Sequence, residues 1–224
     1  MTRLLLFDID MTLVHTNGAG RVAMDATLLE RYGVAEPTAG IRFDGRTDRA
    51  IFLDALAKLE ATSDGEYDAL VEGYLSRLPL ALDERGGTIL PGVTELLDAL
   101  ERADSTIGLA TGNMRAGAAA KLGHYGLWER FAAGGFGDEE VVRANVVRRG
   151  MEELARIAGV AGRNVDCIVL GDTPLDVEAA HAAGARALAV ATGSYGGEAL
   201  AACGADWVFA DLSDTAAVLE VLLG

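Results

Sequence analysis

Long apolar runs, cysteine and positive charge are all in short supply in this 224-residue chain. No apolar stretch approaches the roughly 18 residues needed to cross a bilayer, and the start has neither the basic flank nor the cleavage site of a secretory leader. A cytoplasmic protein is expected. Two cysteines occur, Cys167 and Cys203, and neither has the spacing of a zinc site or a redox pair. Cys167 falls in the apolar stretch 165–170 and reads as a packed strand residue. His15, His124 and His181 show no ligand spacing either, and read as structural or surface residues. Lys plus Arg number 19 against 34 for Asp plus Glu, a formal charge of −15. That balance argues against nucleic acid and anionic membranes as partners. In so acidic a chain an anionic substrate needs a metal ion or a few placed arginines to be held at all.

Half of the residues are hydrophobic, enough for a well-filled core in one large domain, or in one domain with a modest insertion. The most informative stretch comes first. Leu4-Leu5-Leu6-Phe7 leads straight into Asp8 and Asp10, with Thr12 two residues further on. A short continuous apolar run reads as a strand buried on both faces, the central strand of a parallel sheet. Continued extended chain would send Asp8, Asp10 and Thr12 to one side, each roughly 6.5–7 Å from the next. Two acids at the end of a buried strand repel each other and lose hydration, so the arrangement points to a cation or a proton-transfer task. The plainer reading has Asp8 capping a helix and Asp10 starting a turn; partners further along the chain decide between the two.

Gly18-x-Gly20-x-x-Ala23 superficially matches a dinucleotide-binding turn, but it lies too far beyond the strand, and the two acids occupy the place of the glycine turn. A hinge opening into a helix fits better. Residues 21–84 then read as three helices. The first carries Val22, Leu28, Leu29 and Tyr32 and ends at Gly33. The second opens at Thr47-Asp48 and carries Ile51, Leu53, Leu56 and Leu59. The third is expected to run from Gly65 to about Leu78, with Pro79 following it. The chain then returns to alternation. A helix at 93–102 precedes a strand at 106–111, a helix from Gly112-Asn113 to about Gly123, a short strand at 131–134 and a long helical segment at 139–158. Beyond these lie a strand at 167–170, a helix ended by Gly184, a strand at 187–191, the stretch Trp207-Val-Phe209 and a closing helix. Such alternation predicts an α/β fold, a doubly wound parallel sheet with a ligand crevice at the carboxyl ends of its strands.

Four strand ends carry polar punctuation: Asp8/Asp10/Thr12, Thr111-Gly112-Asn113, the 138–143 region, and Gly171-Asp172-Thr-Pro-Leu-Asp176. In this order they resemble the haloacid dehalogenase superfamily of phosphohydrolases, phosphoglycolate-phosphatase-like members in particular. The resemblance implies a Rossmann-like core of residues 1–16 and 87–224 and a small helical cap of residues 17–86 inserted after the first strand. It also implies a Mg2+-dependent phosphatase acting on a small phosphorylated metabolite.

By the same resemblance Asp8 is the nucleophile that forms an aspartyl-phosphate, and Asp10 the general acid and base. Thr111, with the N–H groups of Gly112 and Asn113, would bind the phosphoryl oxygens. Mg2+ would be held by Asp8, Asp172 and the Asp10 main-chain carbonyl, with hard oxygen ligands throughout. Asp176 would hold a metal-bound water or orient the site, or simply cap the following helix. Arg46, in Gly45-Arg-Thr-Asp48, either meets a substrate anion from the cap or is solvated. Two departures stand out. Met11 replaces the glycine commonly found between the second acid and the threonine, and the usual third-motif lysine is missing. Arg143 is the chosen replacement cation, with Arg148 and Arg149 as competitors. A sugar phosphomutase of the same superfamily, or an inactive ligand-binding member, are the alternatives. A dehalogenase is disfavoured by Asp10 and Asp172, and a response-regulator receiver by the large helical insertion.

Overall fold

The opening apolar run forms β1 (Arg3–Phe7), the strand from which both halves of the main sheet grow. The computed structural model describes residues 3–138, 140–161 and 165–224. After β1 come β2 (Val14–His15), α1 (Ala19–Tyr32), α2 (Asp48–Lys58), α3 (Glu66–Arg85) and β3 (Thr88–Ile89). Strands and helices then alternate: α4 (Val93–Arg102), β4 (Ile107–Ala110), α5 (Arg115–His124), β5 (Ala133–Gly135) and α6 (Arg143–Ile157). The last third holds β6 (Asp166–Gly171), α7 (Pro174–Ala182), β7 (Arg186–Val190), α8 (Gly197–Ala202), β8 (Trp207–Phe209) and α9 (Thr215–Leu223).

Six strands make one sheet in the order β5-β4-β1-β6-β7-β8, every neighbouring pair parallel. The chain winds outward from β1 through β4 to β5, then returns to the other side of β1 and winds through β6, β7 and β8. The reversal places a crevice at the carboxyl end of β1, the switch point where open α/β sheets bind ligands. Register does the rest: Phe7 lies level with Leu109 of β4 and Leu170 of β6. The first residues beyond those three strands therefore meet.

Alternation along β1 explains why its apolar run is unbroken. Leu5 and Phe7 join one core with Leu96, Leu97 and Leu100 of α4, Leu122 of α5 and Leu222 of α9. Leu4 and Leu6 join the opposite core, with Val147 and Leu154 of α6 and Val177 and Ala180 of α7. Each of these leucines is fully buried, a contribution of about 1.5–3 kcal/mol apiece. A third cluster belongs to the inserted helices and centres on Met24, Leu28, Phe52, Leu70, Tyr74 and Leu78. β2 and β3 pair antiparallel where the chain leaves and re-enters the core. There Asn17 Nδ2 donates to the Arg85 carbonyl, and Arg85 Nε donates back to the Asn17 carbonyl.

Some boundaries differ from expectation. α3 continues through Pro79 to Arg85. The proline removes one intrahelical hydrogen bond, but Leu78, Ala81 and Leu82 on either side are buried in the helical core and hold the turn. Leu29 and Leu53, assigned to apolar faces, are exposed. α5 begins at Arg115, three residues after the expected Gly112. α6 starts at Arg143, while Glu139, its expected first residue, lies outside the described residues, as do Met1 and Thr2. The β2–β3 ribbon and α8 are too short to have left a periodic signature.

Candidate functional site

The sheet delivers three side chains to one point. The Asp8 N–H donates to the Leu170 carbonyl at 2.9 Å, the last ladder bond of β1, and the side chain beyond it is buried. Thr111 and Asp172 follow β4 and β6 at the same level and are also buried. Asp10 is placed differently from the extended-chain expectation. The N–H groups of Leu13 and Val14 both return to the Ile9 carbonyl, at 2.9 and 3.1 Å, so Asp10 rides on a turn. Met11 takes φ +59° there, a left-handed conformation that glycine adopts more readily than methionine. Its carbonyl is held by the Thr192 hydroxyl.

Arg143, the first residue of α6, reaches back into the crevice and is buried. Its Nη2 lies 2.8 Å from Asp8 Oδ1 and 2.5 Å from Asp176 Oδ1. The competing arginines are engaged elsewhere. Arg148 bonds to Asn145 and to the Ala182 carbonyl, and Arg149 lies 2.8 Å from Glu140 on the surface. Asp176 caps α7 and also faces the acid cluster. Its Oδ2 accepts from the Thr173 N–H and hydroxyl in a capping box at the start of α7, while its Oδ1 turns to Arg143.

Carboxylate oxygens of Asp8, Asp172 and Asp176 come within 4.8 Å of one another, all three buried. Burial, only partly offset by Arg143, pushes Asp8 up to about 6. Burial and then the charges of Asp176 and Asp8 push Asp172 up to about 9. Three crowded acids with one arginine among them are short of positive charge, and Asp176 Oδ1 has no well-aligned hydrogen-bond donor. An all-oxygen set of this kind fits a hard divalent cation. Gly193 is part of the fit: a Cβ there would fall 1.8 Å from Asp172 Oδ2.

Thr111 Oγ1 accepts from both the Asn113 N–H, at 3.2 Å, and Asn113 Nδ2, at 2.9 Å. The Asn113 backbone donor, expected to face a ligand, is thus directed at Thr111, because the helix starts later than the sequence suggested. Gly112 is pressed by the loop that leads into α2: a Cβ on it would meet the Arg46 carbonyl at 2.1 Å. The Asp48 N–H donates to the Gly112 carbonyl at 2.7 Å, and Asp48 Oδ2 accepts from Met114 N–H at 2.8 Å. Arg46 lines the same cavity as Asp8, and its guanidinium pairs with Asp54 at 2.7 Å.

Lys121 escaped the sequence reading. Its Nζ sits 2.6 Å from Asp10 Oδ2 and is almost fully buried. Burial alone would raise Asp10, but the Lys121 ammonium and the Asn113 amide outweigh it and hold the carboxyl below its usual range. A signal was present: the buried stripe of α5 is Gly117, Ala118, Lys121 and Leu122, and a lysine inside such a stripe needs an acid. The whole arrangement opens into a cavity of about 480 Å³, roofed by residues of α1, α2 and α3, a size suited to a small ligand.

A family model described as haloacid dehalogenase-like hydrolase matches residues 5–190. A phosphoglycolate phosphatase of Mesorhizobium japonicum is 28% identical over 189 residues, covering 84% of this chain and 82% of the relative. Among solved structures, a hydrolase from Pseudomonas syringae superposes with a TM-score of 0.71 at 21% identity, covering 99% of each chain. CbbY from Rhodobacter sphaeroides, in complex with phosphate, superposes with a TM-score of 0.70 at 21% identity, covering 96% of each.

Proposed function

Since the chain belongs to the haloacid dehalogenase-like hydrolases, we propose that it is a Mg2+-dependent phosphatase of small phosphate monoesters, phosphoglycolate-phosphatase-like, with residues 17–86 as a cap over the site. The observation that carries this reading is Asp8 at the end of the central strand, in contact with Arg143 and beside Asp172 and Asp10.

In this reading an Asp8 oxygen attacks the phosphorus as the ester P–O bond breaks, and Asp10 gives its proton to the departing oxygen, which leaves as an alcohol. Water then attacks the aspartyl-phosphate and yields its proton to Asp10, and inorganic phosphate leaves Asp8 free. Arg143 neutralises charge on the phosphoryl oxygens, and Thr111 and the Gly112 N–H orient them. Asp8, Asp172 and the Asp10 carbonyl would hold Mg2+, which supplies further neutralisation when bound. Ionised Asp10 suits the base half of the cycle; an arriving phosphate dianion raises its proton affinity for the acid half. Closed over the site, the helical cap excludes water during the first half and selects the leaving group.

No helix among the described residues is long and apolar enough to cross a membrane, and both cysteines are free. A cytoplasmic enzyme of small phosphorylated metabolites fits both facts and the acidic charge. The test is phosphate release from a panel of small monoesters. Release that requires Mg2+, stops with EDTA and is abolished in Asp8→Asn supports the reading. Isomerisation of β-glucose 1-phosphate in place of release would assign a mutase instead. Silence in both assays from folded protein would leave a binding protein.

A further inference from the structure

Lys121 is 5% exposed, yet nothing in the packing of α5 requires a charge there. A methionine would fill similar volume without the cost of desolvating an ammonium. Its contacts are specific. Nζ donates at 2.6 Å to Asp10 Oδ2 and at 2.6 Å to Asn113 Oδ1. The Asn113 amide closes the triangle by donating Nδ2 to the same Asp10 oxygen at 2.7 Å and to Thr111 Oγ1 at 2.9 Å. Two donors thus occupy one oxygen of Asp10 and leave the other, Oδ1, to exchange protons. They matter because Asp10 lies on a turn with its side chain 40% exposed, where an unrestrained carboxylate samples several rotamers. Cover for the ammonium comes from the inserted helices: a Cβ on Gly20 of α1 would lie 3.6 Å from both Lys121 Nζ and the Tyr74 hydroxyl of α3.

We propose that Lys121, through Asn113, is the positioning residue for the acid–base step: it fixes the Asp10 carboxyl so that Oδ1 faces the oxygen that leaves the phosphorus. This inference rests on the phosphatase reading. In the step concerned, the Asp8–phosphorus bond forms, the ester P–O bond breaks and the Asp10 proton passes to the departing oxygen. An alkoxide needs that proton; p-nitrophenolate leaves without one.

The experiment compares kcat/KM for phosphoglycolate, an alkyl ester, with kcat/KM for p-nitrophenyl phosphate, in wild type and Lys121→Met. This parameter reports the steps up to phosphoryl transfer. The alkyl ester should lose at least about 100-fold, in the range of general acid catalysis, and the aryl ester less than about tenfold. Lys121→Arg, which keeps a donor toward Asp10, should recover part of the alkyl rate. Should Lys121→Met fail to fold, judged by its melt, Asn113→Ala carries the same comparison by removing the other donor. Equal losses on the two esters, or no loss on either, would overturn the inference and leave the phosphatase standing. A wild type inert toward both esters would overturn the phosphatase reading for these ester classes, and the inference with it.

Discussion

Replacing Gly193 with alanine adds one methyl group at the acid cluster. Gly193 does not have the left-handed backbone that favours glycine, so alanine brings no backbone strain of its own. The methyl carbon, however, would lie 1.8 Å from Asp172 Oδ2 and 2.9 Å from its Cγ. Comfortable contacts between heavy atoms begin near about 3.5 Å, so the carboxylate must withdraw by more than about 1 Å. Overpacking of this kind costs about 1–3 kcal/mol, and a domain of this size would lose only a few degrees of melting temperature per kcal/mol. Metal binding should suffer far more, because a ligand displaced by about 1 Å is outside the tolerance of a preorganised site. The half-saturating Mg2+ concentration for p-nitrophenyl phosphate hydrolysis should rise about 10–100-fold, and calorimetric titration of the ligand-free protein with Mg2+ should weaken in parallel. A folded Gly193→Ala with wild-type Mg2+ dependence by both measures would refute the assignment of Asp172 as a metal ligand.

Arg143→Met should lower kcat by about 10²–10³, as loss of a preorganised charge donor does, whereas Arg148→Ala should stay within about threefold; steady-state assays of both separate the two arginines. Asp166 is gripped by Arg3 at 2.6 Å and Arg186 at 2.5 Å. Burial raises its pKa, but the two guanidiniums outweigh burial and the net shift is downward. A depressed carboxylate stabilises the fold above its unfolded value of about 3.9 and loses that contribution as pH falls through the lower folded value. Asp166→Asn should therefore be less stable than wild type by about 1 kcal/mol at pH 7, with the gap narrowing in urea melts as pH falls below the ordinary aspartate value of about 3.9. Leu6→Ala should cost about 2–5 kcal/mol, while Leu80→Ala, 60% exposed, should stay within about 0.5 kcal/mol by the same melts.

Features governed by a repeating pattern could be read from the chain. The unbroken apolar run of β1 announced a strand covered on both faces, and the helix boundaries at Thr47, Gly33 and Arg102 follow cap and periodicity signals that act within a few residues. The family resemblance also singles out Arg143, which does meet Asp8. What escaped depends on contacts between distant segments. The turn at Asp10 closes locally on the Ile9 carbonyl, but Thr192 holds it from afar by bonding to the carbonyl of Met11, 181 residues earlier. α3 runs through Pro79 because tertiary burial outweighs a local breaker. The partner of Lys121 lies 111 residues from it, so the periodicity of α5 could mark the lysine as odd without naming its acid.

The mutual clasp of Asn17 and Arg85 has an evolutionary consequence. Because the chain departs and returns at adjacent points of a two-strand ribbon, the sheet experiences everything between them as one long loop. Loop-closure entropy grows only slowly with length, so that loop can be lengthened, shortened or exchanged for another helical module at little thermodynamic expense to the sheet. Strand register and the acids at the strand ends would stay as they are, and only the roof of the cavity would change. A fold joined in this way can acquire new substrates by trading inserts while its chemistry is inherited intact.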